Sequence, residues 1–245
     1  MYNHSKKYKV YFLLIILLGI LAFISVYLPQ SEALPMENLE INQSVLALVN
    51  FGIMILIYGP LGYIGLRISD RIDFIINKNI NYKVWLKNTT IIGGLLGITF
   101  IILDLVFASI HGLGTLPHPP LLTGIIASIT AAIGEEIIFR LFFITFWYWI
   151  IGQIIFKEKY SNIIFWSISC LSAVAFTVTH FPSIMFLYGF ESVSQIPIVL
   201  SIELLLMNGS LSLFAAYYYR KYGIFAAMNI HFVLDIVWHA LWGLV

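Results

Sequence analysis

The 245 residues are 60% apolar and 10% charged, with a mean hydropathy of +0.94, against soluble averages of about 45–50% and about 25%. A water-soluble globule is excluded, and a formal net charge of +1 supplies no basic field for nucleic acid. One cysteine, Cys170, allows neither an intramolecular disulfide nor a cysteine metal cage.

Apolar blocks of about 20 residues, enough to carry a helix across a hydrocarbon layer of about 30 Å, recur at 10–28, 44–66, 89–110, 121–153, 161–181, 197–219 and 223–244. They predict an all-α polytopic membrane helix bundle of seven spans, with residues 1–245 as a single integral membrane domain. The first block follows Lys6, Lys7 and Lys9 and precedes a small-x-small pair, Ser31 and Ala33. It is longer than the 7–15 residues of a signal-peptide core, so it reads as a retained anchor. The fourth block would measure about 50 Å at 1.5 Å per residue, too long for one upright crossing. It is expected to be strongly tilted or broken, and a hidden break would give an eighth span.

Lys and Arg fall before the first span, between the second and third (Arg67, Arg71, Lys78, Lys83, Lys87), after the fourth (Lys157, Lys159) and between the sixth and seventh (Arg220, Lys221). The alternate loops at 29–43, 111–120 and 182–196 carry none, and the first of these holds Glu32, Glu37 and Glu40. The positive-inside rule then places the N-terminus in the cytoplasm of a multi-pass protein. Its compact Ile/Leu/Phe-rich form suggests a bacterial plasma membrane.

The remaining basic residue, Arg140, lies inside the fourth block with Glu135 and Glu136. Each such charge near a helix centre costs about 2.5–3.5 kcal/mol on insertion scales, so the three must face protein or a wet cavity. Glu136 and Arg140, at i,i+4, share a face and form a structural pair. Glu135 points about 100° away and lacks that partner, which makes it a candidate general base or acid. In the fifth block Phe176 and His180 stand one turn apart ahead of Pro182, and in the seventh His231 and Asp235 stand at i,i+4 with His239 continuing the stripe. Glu135, His180, His231 and Asp235 are a set that activates water and stabilises an oxyanion, or that holds a divalent metal such as zinc through His180, His231 and Glu135. Outside this set, the bland readings prevail. His239 is expected at the membrane interface or in a structural role, Asp104 and Glu203 have no motif around them, and His111 and His118 read as members of a solvated Gly/Pro-rich loop.

The ordered motifs Glu-Glu-x-x-x-Arg at 135–140, Phe-x-x-x-His at 176–180 and His-x-x-x-Asp at 231–235 resemble the CPBP intramembrane proteases, the Abi or type II CAAX prenyl endopeptidase family. The resemblance covers residues 121–240. It implies peptide-bond hydrolysis in the membrane, with Glu135 activating water, His180 assisting it, His231 and Asp235 stabilising the oxyanion, and Glu136, Arg140 and Phe176 in support. The family is described both as metalloproteases using zinc or another divalent metal and as metal-independent glutamate enzymes. Asp235 departs from the amide of the eukaryotic CAAX enzymes, and an anion there suits a metal or a protonated histidine better than an oxyanion. The implied partners are membrane lipid and a membrane-anchored or hydrophobic peptide, such as a CAAX-type prenyl protein or a pheromone or bacteriocin precursor.

Two further classes compete with the peptidase. A non-catalytic regulatory or immunity protein of the same fold would have lost motif residues, and none is lost. An ion-coupled transporter would use the same acids and histidines as a relay, but no internal repeat supports it. Straight helices place Glu135 about 33 Å, His180 about 28 Å and His231 about 15 Å above the inner ends at Lys157, Ser161 and Lys221. A shared site requires that gap to close, around a cavity open laterally or to one face for peptide entry.

Overall fold

The computed structural model describes residues 4–29, 42–72, 74–76 and 81–245. The acidic loop residues Glu32, Glu37 and Glu40, the Ser31/Ala33 pair and Lys78 lie outside the described residues. Among the described residues there is no strand, and seven helices are long and apolar enough to cross a membrane. In chain order they are α1 (His4–Ser25), α2 (Gln43–Arg71), α3 (Tyr82–His111), α4 (Leu121–Ile155), α5 (Ser161–Val178) continued after a kink by the short α6 (Phe181–Tyr188), α7 (Ile198–Tyr222) and α8 (Ile224–Leu244). The protein is an integral, multi-pass, all-α membrane bundle.

Local chemistry sets the helix ends. Asn42 and Asn81 cap α2 and α3 by accepting the N–H of Ser44 at 2.8 Å and of Lys83 at 2.9 Å, meeting donors that have no partner within the helix. Pro120 and Pro197 precede α4 and α7, and Pro182, in the first turn of α6, breaks the line of α5 just beyond His180.

The last four spans are the more buried part of the bundle, with α1 to α3 around them. Lipid offers no hydrophobic gain from helix association, so contact rests on close packing and polar links. A Cβ on Gly65 would stand 2.0 Å from the Leu141 carbonyl oxygen, so only glycine lets α2 lie directly on the α4 backbone. A Cβ on Gly97 would stand 2.6 Å from Val237 Cβ, and one on Gly93 2.7 Å from the Ile230 carbonyl. This small-residue seam seats α3 on both flanks of the α8 turn that carries His231 and Asp235. Asn229 adds donors to Thr89 Oγ1 at 2.8 Å and Thr90 Oγ1 at 3.0 Å. At the Arg220 end, Phe74, Tyr148, Phe165 and Tyr219 pack edge-to-face or tilted, and Tyr219 bonds Thr145 at 2.7 Å.

Of the two alternatives for the fourth block, tilted or broken, the break is not found. α4 runs unbroken from Leu121 to Ile155, but it is π-helical over Ile137–Ile144 and Tyr148–Ile155. Each π turn closes over i→i+5 and so uses more residues for the same climb. The long block is therefore shorter than an ideal α-helix of equal length, which lowers Glu135 toward His231 and explains part of the mismatch in counted depths.

Candidate active site

The α-to-π transition falls at the first motif: Glu135 and Glu136 end the α-helical half of α4, and Arg140 sits in the first π-helical stretch. Arg140 Nε stands 3.1 Å from Glu136 Oε2, and both side chains are fully buried. The guanidinium carbon also lies 4.9 Å above the Phe176 ring, a cation–π contact that, with the ion pair, compensates a buried charge whose N–H groups form no aligned hydrogen bond. Phe176, itself fully buried, meets Phe139, His180 and His231 edge-on at centroid distances of 5.1, 5.0 and 5.9 Å. The supporting residues expected from the sequence form one packed unit.

Glu136 does more than pair with arginine. Its Oε1 accepts from His231 Nδ1 at 2.8 Å, while Oε2 faces Arg140. As the partner of a cation it is the anionic acceptor, which assigns the proton on that bond to the imidazole. His231 Nε2 is left facing Asp235 Oδ2 at 3.3 Å and Glu135 Oε2 at 3.7 Å. Glu135 opens on the cavity, with 30% of its side chain exposed, although Oε2 is shielded and has no hydrogen-bond partner. His180, at the kink, donates from Nδ1 to the Phe176 carbonyl at 2.8 Å, because a carbonyl can only accept. Its Nε2 is then the nitrogen with a lone pair to offer.

Glu135, His180, His231 and Asp235 line one cavity of about 220 Å³. The shared site therefore forms across α4, α5 and α8, despite the depths counted on straight helices. Leu116 and Pro117, from the loop before α4, and Asn208 of α7 complete its walls.

The zinc set expected from His180, His231 and Glu135 is not assembled in this arrangement. Among the described residues no three His, Cys, Asp or Glu side chains stand together as a metal-holding group. Both nitrogens of His231 face carboxylates, and His180 Nδ1 is held by a carbonyl.

Two expectations are corrected, and a third residue gains a place. His239, expected at the interface or in a structural role, lines the cavity one turn beyond Asp235, with Nδ1 3.4 Å from Nδ1 of His118. The stripe 231/235/239 carried that signal, whereas Asn208 had none. His118 is not solvated but packs on Trp238 at 4.6 Å, and burial together with the neighbouring His239 lowers its pKa to about 4. His111 is likewise enclosed, its side chain 2% exposed and its Nε2 3.0 Å from Glu203 Oε2.

The family model described as type II CAAX prenyl endopeptidase Rce1-like matches residues 116–237. No curated protein and no solved structure matches the chain. The matched stretch contains all three motifs, with Glu135, His180, His231 and Asp235 of the cavity wall, and the chain accordingly belongs to the CPBP, or type II CAAX, family of intramembrane proteases.

Proposed function

We propose that the protein hydrolyses a peptide bond of a membrane-anchored or hydrophobic peptide by a metal-independent, glutamate-activated water. The observation that carries this reading is the unpartnered Glu135 Oε2 beside His231 Nε2 at 3.7 Å, on the wall of a cavity shared with His180. A separation too long for a direct hydrogen bond, between an acceptor and an imidazole, suits a water held by both. Glu135 takes the proton of that water as it attacks the scissile carbonyl. His180 Nε2 accepts from the same water and orients it. His231 acts as the imidazolium: Nδ1–H anchors it to Glu136, Asp235 flanks it, and its second proton lets Nε2–H donate to the oxyanion as charge develops. The proton on Glu135 passes to the leaving amine.

The apolar remainder of the cavity wall, including Phe100, Leu187 and Met207, suits side chains delivered from the bilayer. Prenylated CAAX-type proteins and pheromone or bacteriocin precursors share that chemistry. By the positive-inside rule we read the basic helix ends as cytoplasmic, with the N-terminus on that side of a bacterial plasma membrane.

The test is cleavage by the purified protein in lipid nanodiscs, using quenched fluorogenic peptides with and without a prenylated cysteine, and with and without a chelator. Cleavage of the lipidated peptide, unchanged by chelation, is expected. No cleavage of any lipidated or hydrophobic peptide would overturn the reading, and chelator loss restored by zinc would replace the water mechanism with a metal one.

A further inference from the structure

A second buried polar cluster lies outside the catalytic motifs, where α3, α6 and α7 meet the loop 112–120. Asp104 on α3 and Glu203 on α7 are both fully buried, and their carboxyl groups meet. Asp104 Oδ1 accepts the Leu116 N–H at 2.8 Å. Glu203 Oε2 faces His111 Nε2 at 3.0 Å, and His111 Nδ1 in turn accepts the Leu113 N–H at 3.1 Å. Because Nδ1 accepts, the neutral ring carries its proton on Nε2 and donates it to Glu203. Asp104 Oδ2 and Glu203 Oε1 make no hydrogen bond, with the Trp242 indole also set near Asp104. One proton shared between the two carboxyls relieves the repulsion that a pair of bare carboxylates would suffer in a buried site.

The Asp104 bond leads to the cavity wall. Leu116 and Pro117 line the catalytic cavity, and the next residue, His118, reaches His239 inside it. We propose that Asp104, Glu203 and His111 are positioning residues: a proton-sharing carboxyl pair with a histidine arm that clamps loop 112–120 as one wall of the catalytic cavity and so sets how substrate is held. The inference rests on the reading of that cavity as the peptidase site. The clamp touches no reacting atom, so its loss weakens substrate binding and spares the chemical step.

Amide hydrogen exchange of the 112–120 peptide, followed by mass spectrometry on the full protein in nanodiscs, reads the clamp independently of activity. Asp104→Leu should speed that exchange at least tenfold. Asp104→Asn, whose amide still accepts from Leu116 and donates to Glu203, should stay within about twofold of the parent. With a quenched fluorogenic prenylated peptide, Asp104→Leu should raise KM at least tenfold with kcat changed less than threefold, and Asn should rescue it. If Asp104→Leu does not fold, Leu116→Pro removes the clamped N–H without touching a buried charge and should raise exchange across the rest of the loop and KM alike. Unchanged loop exchange in whichever of these two variants folds would overturn the clamp, and faster exchange with an unchanged KM would overturn its role in holding substrate. A parent protein that cleaves nothing while its loop exchange responds as stated would overturn the peptidase reading and leave the clamp standing.

Discussion

Two buried polar clusters in this bundle each gather carboxyl groups about a histidine. Around His231, three carboxylates and a guanidinium share a space that opens on a cavity, and Arg140 supplies a fixed cation. Around Asp104, two carboxyls and a histidine are closed off, and among the described residues the basic group they meet is an imidazole whose proton goes to Glu203. The first cluster compensates its charge with an opposite charge and leaves one carboxylate oxygen unpartnered beside the cavity. The second compensates by sharing a proton, and its remaining bonds go to backbone N–H groups of a loop. Composition alone does not separate a reaction centre from a clamp. Access and the source of compensating charge do.

The largest expected effect that tests this contrast is at His180. His180→Ala removes an imidazole that faces the cavity and packs against Phe176 only by its ring edge, so kcat should fall by about 10²–10⁴, the usual worth of a positioned acid or base, while thermal unfolding stays near the parent. Activity within about tenfold of the parent would move His180 out of the chemistry. Arg140→Ala acts on the charge that distinguishes the first cluster. It leaves Glu136 buried without its cation at a cost of about 3–5 kcal/mol, seen as a lowered melting temperature and low folded yield, and Arg140→Lys should not restore it because the planar stack on Phe176 is lost. Normal melting with activity abolished would instead put Arg140 in the reaction.

Smaller effects follow at the edges of the contrast. Asp235→Asn keeps a polar group near His231 Nε2, so kcat should fall less than tenfold, whereas Asp235→Leu should lose more; equal losses would make the negative charge itself essential. His118 joins the two regions, standing on the clamped loop and touching His239. Its pKa of about 4, below the ordinary 6.5, means that the folded protein favours the neutral ring. Between those values the unfolded chain binds the extra proton, so this contribution is present above about pH 6.5 and is lost as pH falls toward 4. His118→Phe should therefore melt with less loss between pH 7 and pH 5 than the parent, and an identical loss would remove His118 from that dependence.

The spans and the polar residues of the site were legible in the sequence because a bilayer makes each buried charge costly. Glu135, Glu136 and Arg140 stand out against an apolar block for that reason. What was not legible depends on contacts between distant segments. Asp104 and Glu203 carry no motif, and only the packing of α3 against α7 shows that they meet. His111 and His118 flank loop-forming glycines and prolines, yet both rings turn inward, His111 to Glu203 and His118 to Trp238, while Asp104 holds the Leu116 N–H. The π-helical turns of α4 are illegible for a different reason: they leave no period of their own in a uniformly apolar stretch, so a count at constant rise cannot register them.

Adjacent glutamates offer the most direct measurement of the central claim, since Glu135 and Glu136 differ in surroundings and not in chemistry. Glu135→Gln and Glu136→Gln, assayed side by side in nanodiscs for cleavage of the prenylated fluorogenic peptide and for thermal unfolding, separate the two roles. The account predicts that Glu135→Gln melts like the parent and loses at least about 10³ in kcat, or about 4 kcal/mol of barrier, while Glu136→Gln loses stability first, through Arg140 and His231. A Glu135→Gln protein that still cleaves within tenfold of the parent would contradict it.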